Sequence, residues 1–446
     1  MPDSRFGMRG VLPAWTLLLA ACGTRVTIPA AATAEHWLVL VEPGKQGERT
    51  LSTLSEQGWQ TRSWTGVPGL ARIYGSGEPR VPGIQGAWRD TNHPVDTGHP
   101  GTSRSLAGLG QNTTDEVGRP SGIPWNLKLI RAPEAWRQGL LGRTAIVAVV
   151  DSGLDPGHPA FAGAVDWQRS HNLVQDEPFT DLNGHGTHVT GIIGARPDAR
   201  GSTGVAPACT LRIVKVLDRR GYGHDHLVME GVLLAAREGA EIINVSIGTR
   251  LPWGSSEAGA LALAWDRTLR EAARLGSLVV TGTGNDGEEE RTSGWTHLPA
   301  ASPWAFVATA CGPIGGVRPD RLASWANRGP GLAEVMAPGG GLETDAQGMP
   351  RLRHPDDLVW STWSRDADPA RTWQGWAGTS MAAAHASGVA ALARQARADL
   401  KGSALGDWIR ATATEVASSA VPLLRADRLA SGVQQPRGLP GAPESD

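Results

Sequence analysis

The chain of 446 residues is poor in cysteine, poor in tyrosine and phenylalanine, and almost without net charge. Three cysteines are too few for a disulfide scaffold, so the fold must rest on a hydrophobic core. A formal net charge of −2 argues against nucleic acid as a partner and against a polybasic membrane contact. The apolar run 11–21 is too short to span a bilayer, which takes about 20 residues. With 2 Tyr and 4 Phe, the aromatic load falls on 18 Trp, a bias the sequence does not explain.

What is present suits a large α/β protein. Hydrophobic content of 40% is ample for a core, and 58 Gly with 31 Pro points to many loops. Short runs rich in Val, Ile and Leu fall at 146–150, 211–217, 242–247, 278–281 and 306–310. Such near-continuous apolar strands are buried on both faces, which predicts a parallel sheet covered by helices. Residues 227–238 carry apolar positions at helical spacing and predict a crossover helix; 382–398 is Ala-rich and predicts another. Cys209 and Cys311 adjoin strand-like runs and are expected as buried, inert thiols. Upstream, 36–85 reads as a small unit, with strands at 36–41 and 70–74 and a helix at 50–57. Residues 86–122 and 431–446 read as a polar linker and a loose tail around a main domain at 123–430. No internal repeat is visible.

Four segments carry chemistry. Ala148-Val149-Val150-Asp151-Ser152-Gly153 places a carboxylate at a strand end, where functional groups of parallel sheets gather, although Asp-Ser-Gly is also a common turn. Asn183-Gly184-His185-Gly186-Thr187-His188 offers two imidazoles three residues apart on one helix face. Zinc needs further ligands, and no Cys or Glu lies at a suitable interval nearby. Gly378-Thr379-Ser380-Met381-Ala382 puts a hydroxyl at a helix N-terminus, where free N–H groups favour an oxyanion; a simple N-cap fits the local sequence equally well. Gly282-Thr283-Gly284-Asn285 follows the run 278–281.

In the order Asp, His, Ser, these segments resemble the subtilisin-like serine proteases of the bacterial exported type. Leu154-Asp155, His158-Pro159, Gly204-Val205-Ala206-Pro207 and Val335-Met336-Ala337-Pro338-Gly339 extend the resemblance over roughly residues 124–425. It implies a doubly wound, mostly parallel α/β sheet flanked by helices, with 36–85 as a small α+β inhibitory pro-segment acting on its own enzyme. It implies a serine endopeptidase that hydrolyses polypeptides through an acyl-enzyme. Ser380 would be the nucleophile, His185 the base, Asp151 its orienting acid and Asn285 the oxyanion donor. His188 is then structural, and Gly186 allows close approach of substrate and backbone. Ser246, Gly248, Thr283 and Gly284 would line the first specificity pocket, with substrate added as an extended strand. Thr283 departs from the Ala of many relatives, and Asp286 biases that pocket toward basic side chains only weakly.

No metal or other cofactor is expected. The loop 195–201, where relatives often hold calcium, offers Asp198 between Arg196 and Arg200, too few oxygens for a Ca²⁺ cage. Glu288-Glu289-Glu290 is expected as a solvated loop, and Trp360, Trp363, Trp373 and Trp376 in a long segment before Gly378 as packing. At the start, Arg5 and Arg9 precede the run 11–21, and residues 1–21 read as an export signal. Leu19-Ala20-Ala21-Cys22 resembles a lipoprotein signal, which implies cleavage before Cys22, lipid on that residue, a short linker 22–35 and anchoring at a membrane surface of the cell envelope. The alternative is an ordinary cleaved signal and secretion. A competing reading of another class is a catalytically inactive relative that serves as a surface binding protein.

Overall fold

The runs of β-branched residues form strands, and those strands form one sheet. The computed structural model describes residues 35–63, 67–75, 78–89, 122–197, 203–290, 292–344 and 350–430. The signal, Cys22, residues 90–121 of the linker, and the tail lie outside the described residues.

The first unit runs β1 (Glu35–Val41), α1 (Lys45–Glu56), β2 (Gln60–Ser63), β3 (Leu70–Gly75) and β4 (Ile84–Arg89). Its strands pair antiparallel in the order β2-β3-β1-β4. The expected unit 36–85 thus extends to Arg89, and the linker begins later than expected. Gly86 hid the last strand in the sequence. A Cβ there would sit 2.5 Å from the Ala260 Cβ, so the bare backbone is what lets this strand lie on the helix beneath.

The main domain contains α2 (Trp125–Leu129), α3 (Ala132–Arg137), β5 (Ile146–Asp151), β6 (His171–Asn172), α4 (His185–Gly194), β7 (Thr210–Lys215), α5 (Asp225–Arg237) and β8 (Ile242–Val245). There follow β9 (Thr249–Pro252), α6 (Ser256–Arg274), β10 (Leu278–Gly282), β11 (Trp295–Leu298), β12 (Phe306–Cys311), β13 (Val335–Pro338), β14 (Glu343–Thr344) and β15 (Pro350–Arg351). The chain ends with β16 (Val359–Thr362), β17 (Trp373–Trp376), α7 (Thr379–Ala396), α8 (Gly402–Thr412), β18 (Thr414–Val416) and β19 (Ser419–Leu423).

The large sheet has the order β18-β19-β13-β12-β10-β8-β5-β7-β6, parallel throughout except for the β18–β19 pair. All five expected strands belong to it. Alternate residues of each strand feed two cores. Val147, Val149, Ile242 and Val280 pack with α4 and α7, while Ala148, Val150, Ile243 and Val279 pack with α5 and α6. Cys209 and Cys311 are buried and unbridged, as expected.

The small unit sits on the outer face of α5 and α6. Leu38, Leu40, Leu70 and Trp88 join the α5–α6 core. Arg267 of α6 donates from Nη1 to the Val41 carbonyl at 2.8 Å and to the Pro68 carbonyl at 3.4 Å. The opposite face of its sheet packs Trp37, Val39, Ala71 and Ile73 against Leu54 of α1.

Strand order reverses at β5, which pairs with β7 on one side and β8 on the other. Chain ends leave such a switch point in opposite directions and open a crevice beyond the carboxyl ends of the strands. Asp151 ends β5, Ser246 follows β8, and Thr283 follows β10, so these three residues lie at that edge of the sheet.

Candidate active site

Asp151 and His185 meet in a fully buried pair. His185 Nδ1 lies 2.8 Å from Asp151 Oδ1 and 3.0 Å from Oδ2, with neither side chain exposed. His185 is the first residue of α4. That start is set by Gly184, whose φ of +100° is a left-handed conformation suited to glycine. A Cβ at Gly184 would also strike the Trp363 indole at 2.4 Å.

A carboxylate that the sequence reading missed aligns this helix with the strand. Asp181 is fully buried. Its Oδ1 accepts from Ser152 Oγ (2.9 Å), Asn183 N (3.0 Å) and Gly184 N (2.8 Å). Its Oδ2 accepts from Thr187 N (2.8 Å) and Thr187 Oγ1 (2.7 Å). Negative charge at a helix N-terminus is favourable, and these donors are the ones a helix leaves unpaired. Ser152 Oγ in turn accepts from Gly186 N at 2.9 Å. Gly186 also packs closely within the chain: a Cβ there would lie 2.3 Å from the Gly153 carbonyl. From the other side, buried Lys215 donates to the Ser152 carbonyl at 2.7 Å and the Leu217 carbonyl at 2.9 Å, and pairs with Glu177 at 3.4 Å.

His188 is structural, as expected. Its Nε2 lies 3.0 Å from the Gln374 carbonyl. Burial pushes its pKa down to about 3, against the pull of that carbonyl. The segment carrying the tryptophans folds as an antiparallel hairpin, β16–β17, laid on α4. Ser361 Oγ donates to the His188 carbonyl and Thr362 Oγ1 to the Thr187 carbonyl, each at 2.8 Å. Trp376 stands edge-on to His185, ring centroids 5.6 Å apart. In the loop that joins β16 to β17, Arg365 binds buried Asp155 through Nε (2.7 Å) and Nη2 (2.9 Å). Burial would raise the Asp155 pKa, but the Arg365 bonds and charge outweigh it and hold the carboxyl low.

Ser380 lies in the first turn of α7, which packs on α4. Its Oγ donates to the Ser246 carbonyl at 3.2 Å, and Ser246 Oγ donates to the Ser380 carbonyl at 3.1 Å. Ser380, Asn285, Ser246, Gly248, Thr283 and Gly284 line one pocket. Thr379 N donates to Asn285 Oδ1 at 2.9 Å, which fixes the amide orientation. Asn285 Nδ2 is left as a buried donor with no partner among the described residues. Gly284 has a φ of +97°, and a Cβ there would meet Asn327 Nδ2 at 2.4 Å.

The glutamate run differs from expectation. Glu290 is only 7% exposed, and its Oε2 lies 3.1 Å from His297 Nδ1. The sequence showed no partner for it because His297 lies in β11, across a turn.

Comparison with known proteins identifies the family. A model of the subtilase family matches residues 142–428. A subtilisin of Bacillus pumilus is 31% identical over 67% of this chain and 94% of its own length. Subtilisin Savinase of Lederbergia lenta is 30% identical over 67% of this chain and 93% of its length. The solved structure of a lanthipeptide protease aligns with a TM-score of 0.58 at 25% identity, covering 69% of this chain and 94% of that one. Fervidolysin from Fervidobacterium pennivorans, a keratinolytic enzyme related to subtilisin, aligns with a TM-score of 0.64 at 22% identity. It covers 90% of this chain and 61% of its own, a span larger than the main domain and therefore reaching the small unit. With family model, relatives and fold in accord, this chain belongs to the subtilase family, the subtilisin-like serine endopeptidases.

Proposed function

We propose that Asp151, His185 and Ser380 form the catalytic triad of this endopeptidase, with Asn285 as oxyanion donor. The observation that carries the reading is the buried Asp151–His185 pair, beside which a pocket presents Ser380 together with the uncommitted amide of Asn285. Ser380 Oγ attacks the scissile carbonyl and gives its proton to His185 Nε2. Asp151 holds the opposite nitrogen and stabilises the imidazolium. The negative oxygen is received by Asn285 Nδ2 and the Ser380 N–H at the positive end of α7. His185 returns the proton to the leaving amine, and water then cleaves the acyl-enzyme by the same route. Ser246, Gly248, Thr283 and Gly284 form the first specificity pocket beside the substrate strand.

Residues 35–89 act as the pro-segment, supported by their docking on α5 and α6 through the Arg267 bonds. The protein is exported and lipid-anchored through Cys22, a reading supported by the sequence pattern before that residue. Among the described residues, no helix is long and apolar enough to cross a membrane.

A fluorophosphonate probe tests the chemistry. Labelling should occur at Ser380 in processed protein and vanish in Ser380→Ala, which should also accumulate at precursor size. Absence of label on folded, processed wild type defeats the triad assignment. Asn285→Ala should lower kcat by about 10²–10³, the scale measured for this donor in a subtilisin rather than worked from these distances.

A further inference from the structure

A group of charged side chains, two of which line the specificity pocket, has no role in the proposed triad chemistry. Asp286 and Glu288 follow Asn285, and His297 lies in β11 opposite them. His297 Nε2 is 3.1 Å from Asp286 Oδ2 and 3.6 Å from Glu288 Oε2. One ligand atom from each of the three residues lies within 4.8 Å of the others. Arg250 holds both oxygens of Glu288, Nη2 donating to Oε1 and Nε to Oε2 at 3.1 Å, and Oε2 also faces the imidazole. The two carboxylates are set in place by their backbone. Asn327 Oδ1 accepts the N–H of Asp286 at 2.9 Å and of Glu288 at 3.0 Å.

Glu290 is an independent indication. Its side chain is 8% exposed, Oε2 holds His297 Nδ1 at 3.1 Å, and Oε1 has no hydrogen-bond partner among the described residues. A buried carboxylate on one imidazole nitrogen is the usual device for turning the other toward a metal and raising its basicity. Three carboxylates, Asp286, Glu288 and Glu290, gather around the His297 imidazole and the Arg250 guanidinium.

We propose that Asp286, Glu288 and His297 bind a divalent transition metal of the zinc class, with Glu290 orienting the imidazole. One nitrogen and two carboxylate oxygens suit zinc better than the all-oxygen preference of calcium or magnesium. Exposed Asp286 leaves the site open for water to complete the shell. The metal would sit in the wall of the substrate pocket, which Asp286 and His297 line.

The test is calorimetric titration of Zn²⁺ into full-length Ser380→Ala protein, which cannot digest itself. A saturable site should appear, be lost in Asp286→Asn/Glu288→Gln, and weaken about 10–100-fold in Glu290→Gln. Circular dichroism confirms that each variant is folded. Zinc-edge X-ray absorption on the protein with this metal cluster unsubstituted should show one imidazole among light-atom ligands. Undiminished affinity in the folded double variant, no saturable binding up to about 1 mM, or a shell without imidazole overturns the proposal. Because binding is read without turnover, failure here leaves the peptidase reading standing.

Discussion

Asp181→Asn isolates the charge that ties the histidine helix to the aspartate strand. The carboxylate accepts five bonds, three of them from backbone N–H groups. An amide keeps the shape but turns one acceptor into a donor. With nitrogen in the Oδ1 position, the N–H groups of Asn183 and Gly184 both lose their acceptor. With nitrogen in the Oδ2 position only Thr187 N is orphaned, because the Thr187 hydroxyl can turn and accept. The second arrangement is therefore preferred. One orphaned buried N–H costs about 1–3 kcal/mol, and the remaining bonds lose about 1 kcal/mol each of charge assistance. Relief of burying an anion offsets part of this, leaving a net loss of about 2–4 kcal/mol. Urea unfolding in the Ser380→Ala background measures it free of autolysis. In the otherwise wild-type enzyme the loosened α4 should reduce kcat about 10–100-fold through misplacement of His185, with KM little changed. A variant within about 0.5 kcal/mol of its parent and within about twofold in kcat would refute the alignment role.

Three further outcomes follow from the buried groups. Burial depresses His188 to about 3 and His385 to about 4, from an ordinary 6.5. The unfolded chain therefore binds more protons below pH 6.5, and stability held above that pH is lost as pH falls toward 4. Each group contributes at most about 1.4 kcal/mol per pH unit over that window, and His385→Gln should remove its share from urea midpoints taken between pH 7 and 4.5. Arg365→Ala leaves the Asp155 carboxylate, only 2% exposed, without its cation. A loss of about 1–3 kcal/mol is expected, below the cost at a fully buried pair because the guanidinium is 42% exposed; calorimetric melting reads it. Burial pushes the Cys209 thiol up to about 12, so Cys209 should react with a thiol reagent only at the rate of unfolding, and rapid labelling in native buffer would contradict its packing.

The parts of this molecule legible in the sequence share one property: their signal is local. Runs of branched apolar residues such as 146–150 announce parallel strands wherever they occur, and all five became part of one sheet. Asp151, His185 and Ser380 each sit among small residues that mark close approach. Asp181 carries no such mark. Asp181-Leu182-Asn183-Gly184 looks like an ordinary turn, and its partner Ser152 comes near only when strand and helix are joined. β2 is polar and held through backbone pairing at a sheet edge, so side-chain periodicity could not reveal it. The glutamate run misled for a related reason: burial of Glu290 depends on the imidazole of His297 in β11, which the turn between them brings back onto it.

The tryptophan-rich hairpin illustrates how much of the site is held from outside the catalytic motifs. Trp363 and Trp376 cross at 5.0 Å, and both stand against His188. Trp376 also flanks His185 and precedes Ser380 by four residues. One indole therefore packs beside His185, the proposed base, at the end of the strand that leads to Ser380, the proposed nucleophile. The hydroxyls of Ser361 and Thr362 meet carbonyls of α4, while His188 reaches back to the Gln374 carbonyl. These bonds run in both directions between hairpin and helix, so neither can shift without breaking the other's contacts. Wide, stiff rings packed edge to face limit the remaining freedom to small tilts. On this arrangement His185 is positioned twice, by Asp181 and Ser152 at the helix start and by the hairpin along its side. That redundancy is why Asp181→Asn is expected to weaken the enzyme rather than abolish it.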